Sequence, residues 1–416
     1  MFRHKTVFIL GAGASWHYGY PTGDELVRKV AARAHALSEL LRAVQEGGDP
    51  ALITLRPKFT SRILRDRTGL EGMRADWGDA SQELRDLATR LREVRPLLID
   101  HFLGHNKNLR AAGKLMIAWV IVECELSYLA NGGNINRREL LANSPFSDER
   151  VRAAGVDLGG YSDAWYRFIT HQLISEATTS ADLLQNNVHF ITFNYDISLE
   201  LHLFGALSSI QRFDLEDIKQ FFSGNRVTHV YGQVRKLPAL GGGPAFIGPM
   251  DFSMGTRPNA SERGTYVGFH QALARAMDFT YEASKNLRTI DPHDKEGDPE
   301  SLETARLLIR DAECVYILGY GFDRFNSQRL DMDKHLRDGA GQRKCVMFTN
   351  YKDSNLVNKR ASNLFFGRPD MFLPPRPPIE GILPGPYYEK SVRDVYEALE
   401  SDFESLEGLM GADRSR

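Results

Sequence analysis

The residues with the clearest chemical potential form a glycine-rich turn close to the start of the chain. Residues 11–15 read Gly-Ala-Gly-Ala-Ser and directly follow an apolar run, residues 7–10, that is typical of a β-strand. Gly11 and Gly13 can adopt positive φ and let the backbone approach a ligand without an intervening side chain. A short helix is predicted after the turn, and its free N–H groups would face an anion. Because doubly wound α/β folds hold a pyrophosphate in this way, the turn predicts a nucleotide ligand.

Two polar residues follow the second strand-like run. Asn194 and Asp196 come at the end of residues 187–193 and would share one face of an extended segment, because they are two positions apart. Polar side chains at the carboxyl end of a parallel strand point into the crevice where ligands bind. Asp196 has a structural alternative, since it could cap the helix predicted to follow it. Both residues are candidates for a catalytic site.

The third strand-like run offers groups that could accept a proton. His229 and Tyr231 share one face of this run, and Tyr231 lies at its end. A histidine within a strand is more often a core or surface residue, but the position of His229 near the strand end makes it a candidate base. A phenol with a pKa of about 10 is a poor base at neutral pH, although it could bind a ribose hydroxyl or a water. His171, on the helix predicted before residue 187, is a third candidate, and the choice stays open.

Two further predicted strand ends could complete a nucleotide cleft. The fourth apolar run ends in Gly319, Tyr320 and Gly321, a second glycine-flanked turn that could also be only a tight connection to the next helix. The fifth run ends in Asn350, whose polar side chain could hold a ribose or an adenine edge. Two glycine-flanked turns in one sheet favour a shared cleft.

The elements that must position these residues alternate between two kinds of sequence. Short β-branched or aromatic runs predict buried parallel strands at residues 5–10, 187–193, 226–231, 313–319 and 344–349. Apolar residues at helical spacing predict helices at 24–41, 81–102, 108–130, 137–141, 162–175, 197–204, 301–309 and 391–410. In the second of these helices, the predicted apolar face comprises Leu84, Leu87, Leu91, Val94, Leu97 and Leu98.

The predicted fold class is α/β, a Rossmann-like parallel sheet with a large helical insertion and a C-terminal helical tail. The Rossmann-like domain is predicted at residues 1–30 and 181–390, the insertion at 31–180, and the C-terminal helix or tail at 391–416. The insertion is far longer than a normal connection between two strands. The proline-rich segment 369–386 is predicted to be extended.

Composition and charge narrow the class of protein. The 416 residues carry a net charge of −2, so no overall attraction to nucleic acid or anionic lipid is expected. The three cysteines form no Cys-x-x-Cys pair, so we expect no metal site and a reducing cytoplasm. Neither a signal peptide nor a membrane-spanning run is apparent, which predicts a soluble cytoplasmic protein without membrane contact.

The strand-end motifs, taken in this order, resemble the sirtuin-like NADase family. Residues 11–15 and the Gly-Tyr-Pro-Thr-Gly turn at 19–23 look like its phosphate loop and the turn after it. Residues 192–196, Thr-Phe-Asn-Tyr-Asp, look like its Thr-x-Asn-x-Asp motif, and residues 319–323 look like its glycine-rich cofactor loop. The helical insertion and the tail look like those of bacterial antiphage relatives that are encoded beside a HerA-type ATPase.

The resemblance implies an enzyme that hydrolyses the nicotinamide–ribose bond of NAD⁺ and depletes cellular NAD⁺ in antiphage defence by abortive infection. Asn194 would orient the ribose or a water, and Asp196 would contact the nicotinamide ribose or carboxamide. The residues that would bind NAD⁺ are Gly11, Ala12, Gly13, Ser15, Pro21, Thr22, Gly319, Tyr320, Gly321 and Asn350. The implied partners are further copies of the chain and a HerA-type hexameric ATPase that controls the activity.

Two departures from the family keep other functions open. The chain cannot build the four-cysteine zinc module of the true deacylases, and Tyr231 stands where the family has the histidine of a His-Gly pair. The main alternative is a non-catalytic sensor subunit that binds NAD⁺ or ADP-ribose. An enzyme acting on nucleic acid is disfavoured by the neutral charge and by the lack of a clustered acidic motif. A dehydrogenase is disfavoured because the third glycine of the dinucleotide fingerprint is missing.

Overall fold

Six parallel strands form one sheet in the computed structural model. The structure describes residues 1–47, 69–130, 165–243, 263–289, 300–337, 344–368 and 387–391, together with residues 395, 398 and 399. The strands are β1 (Thr6–Leu10), β2 (Val188–Thr192), β3 (Val227–His229), β4 (Cys314–Leu318), β5 (Cys345–Thr349) and β6 (Tyr387–Ser391). The first five confirm the strands predicted from the sequence, and the fold class is the predicted α/β, Rossmann-like one.

The strand order identifies the edge of the sheet at which a ligand would bind. The order is β3-β2-β1-β4-β5-β6, and every neighbouring pair is parallel. The chain therefore builds outward from β1 to β3 and then returns to the other side of β1 with β4. In doubly wound folds, ligands bind outside the carboxyl ends of the strands at this reversal. Both glycine-rich turns begin at this edge, one after β1 and the other after β4, and we call it the functional edge of the sheet.

The central strands are buried on both faces, as their unbroken apolar runs predict. Phe8 on β1 is inaccessible to solvent, and its ring stacks between those of Phe190 on β2 and Tyr316 on β4 at centroid distances of 5.2 and 4.8 Å. The last residue of β1, Leu10, pairs in register with Leu318, the last residue of β4. The two glycine-rich turns therefore leave the sheet at the same level.

Helices make up most of the remaining described residues. They are α1 (Gly23–Gly47), α2 (Gly69–Val94), α3 (Ile99–His105), α4 (Arg110–Ala130), α5 (Tyr166–Ile174), α6 (Ser180–Leu184), α7 (Ser198–Ser208), α8 (Leu215–Ser223), α9 (Arg263–Lys285), α10 (Glu300–Asp311), α11 (Arg324–Arg329), α12 (Met332–Leu336) and α13 (Asn355–Phe366). The first six lie between β1 and β2, and the described residues of this stretch contain no strand, as the predicted helical insertion requires. Insertion and sheet share one continuous hydrophobic core.

The prediction of a single helix at 81–102 is wrong, because the structure has two helices there. Helix α2 ends at Val94, and α3 begins only at Ile99. Pro96 lacks a backbone N–H and disfavours a helical conformation in the residue before it, and Arg95 takes a φ of 47°. The predicted apolar face accordingly ends early. Its first residues, Leu84, Leu87 and Leu91, are buried, whereas Val94 and Leu97 are 56% and 74% exposed.

The C-terminal part of the sheet also differs from the prediction. The helix predicted from residue 391 starts too early, because Ser391 is the last residue of β6. This strand pairs with β5 and was not predicted. Residues 395, 398 and 399 are helical and buried, in agreement with a helix further along the tail. The rest of the tail and the predictions for 137–141 and 369–386 lie outside the described residues.

The glycines of the two turns serve a close approach of backbone to backbone. Gly11 has a φ of −93°, so it does not use the positive φ that is open to glycine. Gly319 in the second turn does, with a φ of 59°. A Cβ on Gly11 would lie 2.5 Å from the Gly319 carbonyl oxygen, and one on Gly319 would lie 2.2 Å from Ala14 N. The N–H of Gly13 donates to the Gly319 carbonyl oxygen at 3.0 Å. Side chains are excluded because the turns pack directly on each other.

Replacing Gly319 by alanine should destabilise the protein strongly. The added Cβ would collide with backbone, and the residue would be held at positive φ, so we expect the free energy of unfolding to fall by about 3 kcal/mol. Gly321→Ala is the matched control, because this residue of the same turn has no atom within 4 Å of an added Cβ. Urea denaturation measures both changes, and equal losses in the two variants would contradict the packing role of Gly319.

Candidate functional site

Asn194 joins the end of β2 to the first glycine-rich turn. Its Nδ2 donates to the Gly11 carbonyl oxygen at 3.1 Å and to Ser15 Oγ at 2.7 Å. The Asn194 N–H is in turn held by Thr192 Oγ1 at 3.0 Å, which fixes the turn after the strand. The residues predicted to form a site from separate segments, Gly11, Ser15 and Asn194, are therefore brought together at the strand reversal.

Asp196 reaches the same turn and also contacts the helix that follows it. Its Oδ1 accepts from the backbone N–H of Ser198, the first residue of α7, at 3.1 Å. The N-cap position belongs to Ile197 and has no side-chain cap, so Asp196 contacts the start of the helix without being its N-cap. The carboxylate also accepts a hydrogen bond from the Ser15 side chain. Burial raises the pKa of Asp196, and the hydrogen bonds from Ser198 and Ser15 lower it in part. Asp196 is thus a buried carboxyl group directly beside the predicted phosphate loop.

Both ring nitrogens of His229 contact other residues. Its Nδ1 lies 2.9 Å from the Asn194 carbonyl oxygen and its Nε2 lies 2.7 Å from Glu200 Oε1, and the side chain is only 4% exposed. Burial lowers the pKa of His229, but the Glu200 carboxylate and the hydrogen bonds together raise it above its ordinary value. A histidine with both nitrogens engaged holds the Asn194 backbone in place and has no nitrogen left to accept a proton from a ligand.

Tyr231 is buried beside two other aromatic residues. Its hydroxyl donates to Asn326 Oδ1, and burial, followed by the nearby Asp100 carboxylate, raises the pKa of the phenol well above 10. Phe193 packs against the Tyr231 ring and stacks on the Tyr320 ring, at centroid distances of 5.7 and 5.0 Å. Tyr231 therefore remains protonated at neutral pH and can donate a hydrogen bond but not take up a proton.

Two predicted residues have other roles in the structure. His171 is exposed on α5, whose buried face is formed by Tyr166, Ile169 and Leu173. Asn350 is buried, and its Nδ2 donates to the Ser354 carbonyl oxygen at 3.1 Å and to Asn358 Oδ1 at 2.8 Å. The first is thus placed on the solvent side of its helix, and the second stabilises the turn after β5.

A cavity of about 450 Å³ lies along the turn after the predicted phosphate loop. It is lined by Trp16, Gly19, Tyr20, Pro21, Glu25, Arg28 and Lys29. Trp16 is 53% exposed and offers an aromatic face, while Arg28 and Lys29 supply positive charge. The Tyr20 hydroxyl is buried without a hydrogen-bond partner in the described part of the chain, and burial followed by the nearby Asp196 carboxylate raises its pKa. This volume is in the range of pockets that bind small molecules and cofactors.

The insertion contributes two residues that sequence reasoning missed. Asp100, on α3, accepts a hydrogen bond from the Tyr195 hydroxyl, and burial raises its pKa to about 6. His101 follows it, with its ring 5.1 Å from that of Phe325 on α11 and with Nε2 buried and lacking a hydrogen-bond partner within the described ranges. The sequence signal was an Asp-His pair just after a proline that interrupts a helix.

Other insertion helices also contact the functional edge. Arg235, beyond β3, donates from Nε to Glu125 Oε1 on α4 at 2.9 Å, and both side chains are buried, at 7% and 4% exposure. Trp165, just before α5, donates from its indole Nε1 to the Ala14 carbonyl oxygen at 2.8 Å. The insertion is therefore a structural part of the site's surroundings.

The described residues contain no group of three or more His, Cys, Asp or Glu side chains that could hold a metal ion. Among the helices in those residues, none is both long enough and apolar enough to cross a membrane. No known protein family model matches the chain, and no curated protein or solved structure compared with it gives a match.

The buried His229–Glu200 pair should make stability depend on pH. Because the folded-state pKa of His229 is raised above 6.5, its stabilising contribution is complete below that value and is lost as the pH rises through the raised pKa. In Glu200→Gln the charge that raises this pKa is removed, so this loss should disappear. Urea denaturation from about pH 6 to about pH 9 measures the difference.

Glu216→Gln is the control for this experiment, since Glu216 is 82% exposed and pairs with Lys219 on the surface of α8. It should keep the pH dependence of the wild type. The same pH dependence in wild type and Glu200→Gln would show that the ion pair makes no such contribution.

Proposed function

We propose that this protein is an NAD⁺ glycohydrolase that cleaves the nicotinamide–ribose bond. The observation that carries the proposal is the pair of hydrogen bonds from Asn194 Nδ2 to the Gly11 carbonyl oxygen and to Ser15 Oγ. This contact joins a polar strand end to a glycine-rich turn at the strand reversal, which is where doubly wound folds bind dinucleotides. It supports the function that the motif order implies.

The cavity beside the phosphate loop supports a dinucleotide as substrate. The exposed Trp16 ring is suited to stacking on a base, and the ammonium of Lys29 and the guanidinium of Arg28 are suited to phosphate oxygens. In this proposal the N-terminal turn and its 3-10 helix, Ala12–Tyr18, hold the pyrophosphate. The nicotinamide ribose then lies toward Asn194 and Asp196, at the inner end of the cavity near Tyr20.

The proposed reaction requires little acid catalysis. Nicotinamide leaves a cationic ring as a neutral group, and the sugar passes through an oxocarbenium-like transition state. A fixed ribose and a nearby negative charge lower the barrier. Asn194 orients the ribose or the water, and the Asp196 carboxylate stabilises the developing positive charge. Burial raises the pKa of Asp196 and so opposes the ionised form that this role requires, and the hydrogen bonds from Ser198 and Ser15 offset this in part.

We further propose, from the same resemblance, that the activity serves antiphage defence and is controlled by a partner. Uncontrolled hydrolysis of NAD⁺ would kill the cell that makes the enzyme. A HerA-type hexameric ATPase is the proposed partner, with further copies of this chain in the complex. The assay therefore measures nicotinamide released from NAD⁺ by the protein alone and by the protein with the ATPase encoded beside it.

A non-catalytic sensor of NAD⁺ or ADP-ribose is the second candidate. The residues at the end of β3 favour a sensor, because neither can accept a proton. Both nitrogens of His229 are engaged, and the raised pKa of Tyr231 keeps its phenol protonated. A sensor would bind NAD⁺ in calorimetry and release no nicotinamide under any condition. An enzyme would need a proton acceptor from another part of the chain.

Asn194→Ala should abolish nicotinamide release while the protein stays folded. Loss of the amide removes both contacts to the first turn and the group that orients the ribose, so we expect a fall in kcat/KM of about 100-fold or more. Asn363→Ala, at an exposed position on α13, is the control and should behave as the wild type. Circular dichroism checks the fold, and undiminished turnover in Asn194→Ala would rule out the proposed role.

A further inference from the structure

Helix α3 of the insertion lies across the functional edge of the sheet. Its residue Asp100 is hydrogen-bonded to Tyr195, which follows β2. The next residue, His101, packs its ring edge-on against Phe325, which follows β4, at a centroid distance of 5.1 Å. Because β2 and β4 flank β1 on opposite sides, these two contacts place α3 over the strand reversal.

His101 carries an acceptor that nothing else in the described residues uses. Its Nε2 atom is buried and makes no hydrogen bond there. Leaving a buried polar atom unpaired is costly, so such atoms in native proteins call for an explanation. A neutral imidazole with its proton on Nδ1 presents Nε2 as an acceptor. His101 thus has the free nitrogen that His229 lacks.

Side-chain contacts and chain neighbours together link His101 to the strand ends. The residue that follows its aromatic neighbour on α11, Asn326, accepts a hydrogen bond from the Tyr231 hydroxyl. The Tyr231 ring packs against Phe193, which directly precedes Asn194. The α11 segment that His101 packs against is therefore tied through Tyr231 to the segment that carries Asn194.

We propose that His101 is the catalytic base that activates water for NAD⁺ cleavage, and that Asp100 is a positioning residue that anchors α3 through Tyr195. The proposal rests on the proposed function. The water oxygen forms a bond to C1′ of the nicotinamide ribose, and the bond from C1′ to nicotinamide breaks with its electron pair remaining on the ring nitrogen. One water proton passes to His101 Nε2 and then to solvent, and the products are nicotinamide and ADP-ribose.

Several charged and titratable side chains lie near the contact between His101 and Phe325. Asp100 precedes His101, and Tyr195 and Tyr231 face the same region from β2 and β3. Arg329, on α11, has its guanidinium 5.6 Å from the centroid of the Phe325 ring.

His101→Gln in the full-length protein tests the proposal. We expect kcat for nicotinamide release to fall about 100-fold or more, while the dissociation constant for NAD⁺ changes by less than about threefold. His35→Gln is the matched control, because His35 is exposed on α1, whereas the Nδ1 of the exposed His105 contacts the His101 carbonyl oxygen. An active wild type whose kcat is unchanged in His101→Gln would overturn the proposal.

A second measurement separates this proposal from the proposed function. The ¹⁵N resonances of the His101 ring, assigned by their loss in His101→Gln, should shift when ADP-ribose is added to the wild-type protein. If the wild type releases no nicotinamide with or without the ATPase, the proposed function fails. A shift on ADP-ribose addition then still supports His101 at the ligand, and no shift overturns it.

Discussion

The contact between two glycine-rich turns determines the geometry of the functional edge. The turn after β1 and the turn after β4 approach so closely that no Cβ fits between Gly11 or Gly13 and Gly319. Because neighbouring strands end in register, this approach sets where the 3-10 helix after the first turn begins. Ser15 on that helix is then within reach of Asn194, so the polar strand end is positioned by backbone packing.

Two buried ionisable groups beside this contact, His229 and Asp196, are held by hydrogen-bonding partners. Glu200 on α7 neutralises His229, and Ser15 and Ser198 donate to Asp196. Removing one partner of such a pair leaves a buried charge, which is far more costly than losing a pair at the surface. These contacts therefore hold both groups in fixed positions.

Local sequence signals predicted the strands and the convergence of Gly11, Ser15 and Asn194, because unbroken apolar runs and glycine turns are local properties. Partners that come from distant segments were not predictable. Asp100 lies 95 positions before Tyr195 in the chain, and no local pattern encodes that pairing. The break after α2 was predictable in principle from Pro96, whereas β6 is a five-residue strand with only its two tyrosines as a signal.

The buried pair of Arg235 and Glu125 limits which substitutions the chain tolerates at these two positions. One charge belongs to the Rossmann-like part and the other to the insertion, and both are shielded from water. Replacing Glu125 alone would leave the Arg235 guanidinium buried without its carboxylate, at a cost of about 3–5 kcal/mol. The two positions are therefore expected to change together, so that a substitution in the insertion is tied to one beside the sheet.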